Sequence, residues 1–308
     1  MNGLAISSDG LTKDYRKVRA VDDLSLGVPE GSVYGFLGRN GAGKTTTIKM
    51  LLGLTRPGTG SAQVLGLDIL KGHLAILERT AYVSETKILF ESMTTEELVR
   101  FNRGFFSRWS DEAASKYAAL LEIPPRQRFG KLSRGNRTKV CLLLALAQKA
   151  DLLILDEPTA GLDPVAVDEV LRILIEDHVS RGHAVFFSSH HLAEVERVAD
   201  WVGILDHGRL LLEARLEDVR SQFRRITASG NGLPSKASPP VLAWSQSEQF
   251  WKYIVTRDSE QFATALREQG AAVVEVSPLN LQEIFLELVR KEAPCTSGSV
   301  GATHAGVV

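Results

Sequence analysis

The chain has 308 residues, 44% of them hydrophobic and 24% charged, and its 36 Lys and Arg stand against 37 Asp and Glu. That composition suits a globular chain with room for one large domain and a small one, and its balance gives no bulk positive field to attract nucleic acid. Two cysteines without framework or ligand spacing point to a reducing cytosol; no run reaches the roughly 18 apolar residues of a membrane span, and MNGLAISSDG lacks the basic-then-apolar order of a secretion signal.

Residues 2 to 37 carry short alternating strand-like runs that end in the apolar SVYGFL. A helix pattern follows from about Gly43 to Leu54, the turn RPGTG closes it, and SAQVLG resumes extended structure. Residues 94 to 148 are mostly helical from TTEELVRF onward and have the character of an inserted helical subdomain. DLLILD, PVAVDEVLRILIED, AVFFSS and HLAEVERVAD then alternate strand with helix, which predicts a parallel sheet covered on both faces, and VGILDHGRLLLE closes as a hairpin at His207-Gly208. Composition shifts after Arg215: residues 216 to 291 predict a small α+β appendage in strand, helix, strand, helix order, its last helix opened by a capping box of Asn280 with Glu283. Residues 292 to 308, poor in charge and rich in Gly, Ser and Ala, predict a disordered tail.

The chemistry starts at GRNGAGKT, residues 38 to 45, which matches Gly-x4-Gly-Lys-Thr between a strand and a helix. Gly38, Gly41 and Gly43 let successive backbone N–H groups turn toward phosphate oxygens at the positive end of the following helix, with Asn40, Ala42 and Thr46 beside them. Lys44, expected on a surface loop outside the core, would neutralise the β- and γ-phosphates, and the Thr45 hydroxyl would ligate Mg²⁺. LLILDEP supplies a strand ending in two carboxylates: Asp156 to hold Mg²⁺ and Glu157 to polarise the attacking water. KLSRGNRTK places Ser133 and Gly135 before the apolar run VCLLLALA; alone, this pattern fits any helix capped by a serine.

Taken in order, these segments resemble the nucleotide-binding subunits of ATP-binding cassette (ABC) transporters over about residues 4 to 215, and the appendage resembles that of bacterial export subfamilies. The resemblance implies an α/β P-loop NTPase core with an inserted helical subdomain. It also makes AGLDP, residues 160 to 164, similar to the D-loop, with Asp163 coupling two sites, and His190 similar to the switch histidine at the γ-phosphate. Tyr15 matches the aromatic that stacks on adenine. LSRGN, whose Ser133 lies 23 residues before Asp156, resembles the signature LSGGQ, so that Ser133 and the Gly135 amide would serve a nucleotide held by another subunit. Arg134 and Asn136 depart from that pattern. Glu85 stands where the family generally has a glutamine that senses magnesium and the membrane partner, and the resemblance implies the same role for it; the plainer reading is a loop carboxylate. Implied partners are a second ATPase subunit, identical or not, and an integral membrane permease, with no nucleic acid; the place is the cytoplasmic face of the cell membrane, held peripherally.

Two readings stand for the aromatic run FNRGFFSRW at 101 to 109: a groove that receives the membrane subunit, or core of the helical subdomain. His191 next to His190 gives no metal site on the argument that adjacent strand residues point to opposite faces. The expected function is thus the ATP-hydrolysing engine of an exporter. A non-transport cassette in translation or DNA maintenance is the alternative, although this chain has neither a second cassette nor a coiled-coil insertion; a P-loop kinase or GTPase fails on LSRGN, AGLDP and SSHH together.

Overall fold

The computed structural model describes residues 3–179, 182–230, 233, 241–247 and 250–290. The predicted disordered tail lies outside them, as does most of the turn-rich stretch before residue 241. Contacts divide the chain into two compact units, one ending at Leu210 and one beginning at Leu211.

The first unit opens not with short runs but with two twelve-residue strands, β1 (Leu4–Tyr15) and β2 (Val18–Pro29), paired antiparallel around a turn where Arg16 has φ 54. Register shifts interrupt the pair at several points, and each bulge breaks the alternation that a strand shows in sequence. Next come the fully buried β3 (Val33–Gly38) and helix α1 (Lys44–Leu51). β4 (Thr59–Val64) and β5 (Leu67–Asp68) complete a four-stranded sheet in the order β2-β1-β4-β5, which sequence reasoning did not foresee as a separate layer. Ile6, Leu24 and Val28 of this sheet, Ile48 and Leu51 of α1, and Phe36 and Phe186 share one hydrophobic core.

After α2 (His73–Arg79) and β6 (Thr80–Val83), the chain makes the helices α3 (Thr95–Arg103), α4 (Asp111–Leu120) and α5 (Arg134–Ala147) before it enters β7 (Leu152–Asp156). Thr94 and Glu97 cap α3 reciprocally, and Ser110 caps α4 through the Ala113 amide. α6 (Pro164–Ile173), with proline at its first position, runs on into a π-helical turn, Leu174–His178. β8 (Ala184–Ser189), α7 (Leu192–Val198), β9 (Trp201–Asp206) and β10 (Arg209–Arg215) follow. The second sheet has the order β10-β9-β3-β8-β7-β6, and every pair from β9 to β6 is parallel. β3, β7 and β8 are buried along their whole length, which is why they read as unbroken apolar runs. Their order places the ends of β3, β8 and β7 side by side, where a parallel α/β sheet offers its ligand crevice.

At the other end of β7, Asp151 is held by two arginines: Arg79 at 2.8 Å and Arg108, from the segment between α3 and α4, at 2.6 Å.

The second unit holds α8 (Leu216–Gln222), β11 (Arg224–Ser229), β12 (Val241–Ser247), β13 (Phe250–Val255), α9 (Ser259–Glu268), β14 (Val273–Pro278) and α10 (Leu281–Arg290). Its sheet is antiparallel in the order β12-β13-β11-β14, so the predicted strand, helix, strand, helix series lacks α8, β11 and β12. Ile226, Ala228, Trp251 and Tyr253 pack with Ala263 and Leu266 of α9. The capping box is present: Glu283 N–H donates to Asn280 at 2.8 Å and Asn280 N–H donates back at 3.1 Å.

Candidate functional site

The loop after β3 turns through Gly41 and Gly43, at φ 82 and 111. Gly38 is the last residue of β3 and takes no part in that turn. At Gly43 a side chain is excluded twice: its φ is left-handed, and a Cβ would lie 2.4 Å from the Ala20 carbonyl oxygen. Gly43 is also the N-cap of α1 and supplies no side-chain acceptor, and no acid stands in the first turn.

Asn40, Gly41, Gly43, Lys44, Thr45, Thr46, Glu85, Asp156 and Glu157 all line one cavity of about 310 Å³, together with Ala20 and Arg39. Gly38, Ala42, Tyr15, Ser133, Gly135, Asp163 and His190 are not in its lining. The Thr45 hydroxyl donates to Asp156 Oδ2 at 2.7 Å, and the Ser188 hydroxyl at the end of β8 donates to Oδ1 at 2.5 Å. Asp156 is fully buried, so these bonds, rather than water, hold its carboxylate.

Lys44 corrects an expectation. It is 7% exposed rather than a surface lysine; its ammonium donates to the Gly38 carbonyl at 2.7 Å and faces Glu157 Oε1 at 3.5 Å. Glu157 is 4% exposed, and its Oε2 meets His190 Nδ1 at 2.8 Å. Lys44, Glu157 and His190 thus form one line of contacts.

The histidine pair needs correction as well. β8 stops at Ser189, so His190 and His191 lie beyond the strand, and their rings stand 4.0 Å apart instead of on opposite faces. Among the described residues no group of three His, Cys, Asp or Glu side chains that could hold an ion is found.

Ser133 is the N-cap of α5, accepting from the Asn136 amide at 3.2 Å. Gly135 has a reason within its own chain, because a Cβ there would lie 2.8 Å from the Gly161 carbonyl oxygen. Thr138 also donates to the Ala160 carbonyl at 3.1 Å, so LSRGN and AGLDP are packed on each other. Asp163 caps α6, accepting from the Val165 and Ala166 amides at 3.0 Å each; the Ala166 bond leads in holding its carboxyl below the ordinary range. Tyr15 is exposed at the end of β1 with the Lys13 ammonium 5.3 Å from its ring centre.

Two of the four aromatics in the run stand outside the core, and Phe106 and Trp109 are partly buried. Phe101 and Phe105 are exposed, and with exposed Phe90 they form a chain of ring contacts at 5.2 and 4.9 Å. The core reading required them buried.

Sequence reasoning passed over Ser188, which holds Asp156, and Lys87, whose ammonium donates to the carbonyls of Ser84, Asp156 and Glu157 at 2.6, 3.2 and 3.4 Å. Burial lowers the Lys87 pKa from its ordinary value, against the pull of neighbouring carboxylates. Nearby Tyr82 has its hydroxyl pushed up to about 12, first by burial and then by Asp156 and Glu85. Ser188 sits inside the apolar run AVFFSS, where nothing in the sequence marks it as a partner for Asp156.

Known proteins bear on this geometry in three ways. Residues 21–160 match the family described as ABC transporter. Among curated proteins, the chain is 36% identical over 222 residues to the bacitracin transport ATP-binding protein BcrA of Bacillus licheniformis, covering 71% of this chain and 72% of that one. It is 37% identical to the daunorubicin/doxorubicin resistance ATP-binding protein DrrA of Streptomyces peucetius over 71% and 68%. With the Nod factor export ATP-binding protein I of Neorhizobium galegae, the likeness runs through the appendage: 32% identity over 94% and 86% of the two chains. A solved ATP binding subunit of an ABC transporter superposes with TM-score 0.64 at 30% identity, over 70% of this chain and 92% of that one. With its cavity, its paired carboxylates and these likenesses, the chain belongs to the ABC transporter family as an ATP-binding cassette.

Proposed function

We propose that this cassette hydrolyses Mg-ATP to power an exporter whose membrane-spanning subunit is a separate chain. The observation that carries the reading is the convergence of Lys44, Thr45, Asp156, Glu157 and His190 at the crevice of β3, β8 and β7. Named relatives act in bacitracin transport, drug resistance and Nod factor export, which favours export over translation or DNA maintenance. Among the described residues no helix is long and apolar enough to cross a membrane, in keeping with a peripheral subunit on the cytoplasmic side.

The amides from Gly41 to Thr46 bind the phosphates at the uncapped start of α1, and Lys44 turns from the Gly38 carbonyl to the β- and γ-phosphates. Thr45 and Asp156, oxygen donors 2.7 Å apart with Glu85 on the same cavity, suit a hard cation. When bound, Mg²⁺ neutralises charge on the phosphate oxygens. Glu157 takes a proton from the attacking water, oriented by His190 Nδ1. Tyr15 packs on adenine; Ser133, Gly135 and Asp163 act across a dimer of cassettes. Exposed Phe90, Phe101 and Phe105 receive the permease.

Glu157→Gln tests this directly. It preserves the shape of the side chain and removes the base, so Mg-ATP binding persists while turnover falls by about 10²- to 10⁴-fold. Turnover at the wild-type rate excludes Glu157 as the base. A wild-type protein that binds ATP without hydrolysing it ends the engine reading.

A further inference from the structure

We propose that Lys87 is a positioning residue for Glu157: its ammonium fixes the backbone turn that aims this carboxylate, and ties the turn to the segment that carries Glu85.

The strand β7 ends at Asp156, and the next residue, Glu157, has φ 50, a left-handed conformation that a residue with a Cβ adopts only when its surroundings hold it there. The amide side of Glu157 is held by Ser188, whose carbonyl and hydroxyl both accept from the Glu157 N–H at 3.2 Å. On the carbonyl side Lys87 donates to Asp156 O at 3.2 Å and Glu157 O at 3.4 Å, beside the Ala160 N–H that donates to Glu157 O at 3.3 Å. Its shortest bond, 2.6 Å, goes to Ser84 O, in the residue before Glu85. One ammonium with three donors therefore joins two segments that are 69 or more residues apart in sequence.

A lysine is suited to this task. Three carbonyl oxygens at different angles need three donors from one point, and a carboxylate or an amide cannot supply them. The positive charge also lies behind Asp156 and Glu157, where it offsets part of the repulsion between neighbouring carboxylates without occupying the cavity. Lys87 does not line that cavity, so it acts on the nucleotide only through the lining residues whose backbone it holds, Glu157 foremost. A displacement of the Glu85 segment moves Ser84 O and Lys87 together, and with them the carbonyl side of the catalytic turn.

This inference rests on the reading of Glu157 as the base, and the test separates the two. Wild type, Glu157→Gln, Lys87→Met, Lys87→Gln and Lys87→Arg are assayed for kcat, KM for Mg-ATP, ATP affinity and melting temperature. Positioning predicts that Lys87→Met lowers kcat at least tenfold, leaves KM and ATP affinity within about twofold, and that Lys87→Arg regains part of the loss by keeping the charge and several donors. If Lys87→Met does not fold, Lys87→Arg must exceed the neutral Lys87→Gln in kcat at equal KM. Wild-type kcat in Lys87→Met or in Lys87→Gln, an equal loss in Lys87→Arg and the neutral variants, or a loss confined to ATP affinity overturns the proposal. Full activity in Glu157→Gln instead overturns the base assignment and the proposal with it.

Discussion

Three helices in the first unit begin close to the proposed chemistry, and they begin differently. α1 starts at a glycine with no side-chain cap and no acid in its first turn. α6 starts at Asp163, whose carboxylate accepts from two amides. α5 lies between these cases: Ser133 caps it with a neutral hydroxyl, no acid follows, and Arg134 and Arg137 sit in the first turn, where the helix dipole disfavours positive charge. A helix start that its own chain leaves uncapped is arranged for an anion from elsewhere; one closed by a carboxylate has met its need already. By this measure α1 is open, α6 closed, and α5 closed only lightly and bordered by cations.

The largest effect in this comparison is expected at the open end. Lys44→Ala removes the first residue of α1 from the cavity and costs hydrolysis about 10²-fold or more. Because Lys44 is buried beside Glu157, the melting temperature also falls; calorimetry with a turnover assay reads both. Unchanged turnover would mean that the uncapped start is simply a tight turn.

Gly135→Ala probes the lightly closed end. Alanine gains up to about 1 kcal/mol over glycine in a helix, but its Cβ would stand 2.8 Å from the Gly161 carbonyl oxygen, which is backbone and can yield only by moving AGLDP. Overpacking of this kind costs about 1 to 3 kcal/mol, so the variant is destabilised by up to about 2 kcal/mol in urea unfolding. A variant more stable than wild type shows that the two loops are not locked together.

The smallest effect belongs to the closed end. Asp163 is held below its ordinary value of 3.8 in the folded chain, first by the Ala166 amide, so its contribution to stability is present above that value and is lost as pH falls through the lower folded value. Asp163→Asn keeps an acceptor for the cap and removes the titration. The expected outcome is a melting temperature that drops less steeply on acidification below 3.8 than in wild type. Identical acid profiles would show that the carboxylate's charge does nothing for α6.

Contiguity decided what could be read from the sequence. GRNGAGKT and LLILDEP carry their residue types, spacing and flanking elements within a dozen positions, and strand, loop and helix follow where the pattern put them. The hairpin of two twelve-residue strands, β1 and β2, was harder to see because bulges break its alternation. Gly135 reads as a ligand amide in sequence, whereas the close approach of Gly161 exists only once α5 and the AGLDP loop have packed. Lys87 was invisible for a similar reason: its partners are backbone carbonyls, which every residue has, so no residue type marks them. The error over His190 and His191 came from carrying strand alternation one residue too far, past the end of β8.

The two-arginine clasp on Asp151 has a mechanical consequence. β7 is a strut of five residues, roughly 17 Å long at 3.3 Å per residue, with Asp151 just ahead of one end and Asp156 at the other. Arg108 reaches the clasp from the segment between α3 and α4, and Arg79 from the end of α2. A carboxylate gripped by two forks resists being pulled away, yet it lets the gripping segments swivel about it. The clasp therefore ties the segment between α3 and α4 to the far end of the strut from Asp156 and Glu157, while Thr138 and Gly135 of α5 meet the AGLDP loop nearer those carboxylates. Both arginines and Asp151 are partly exposed, so dissolved salt weakens this clasp, and ionic strength sets how firmly the three segments are held together.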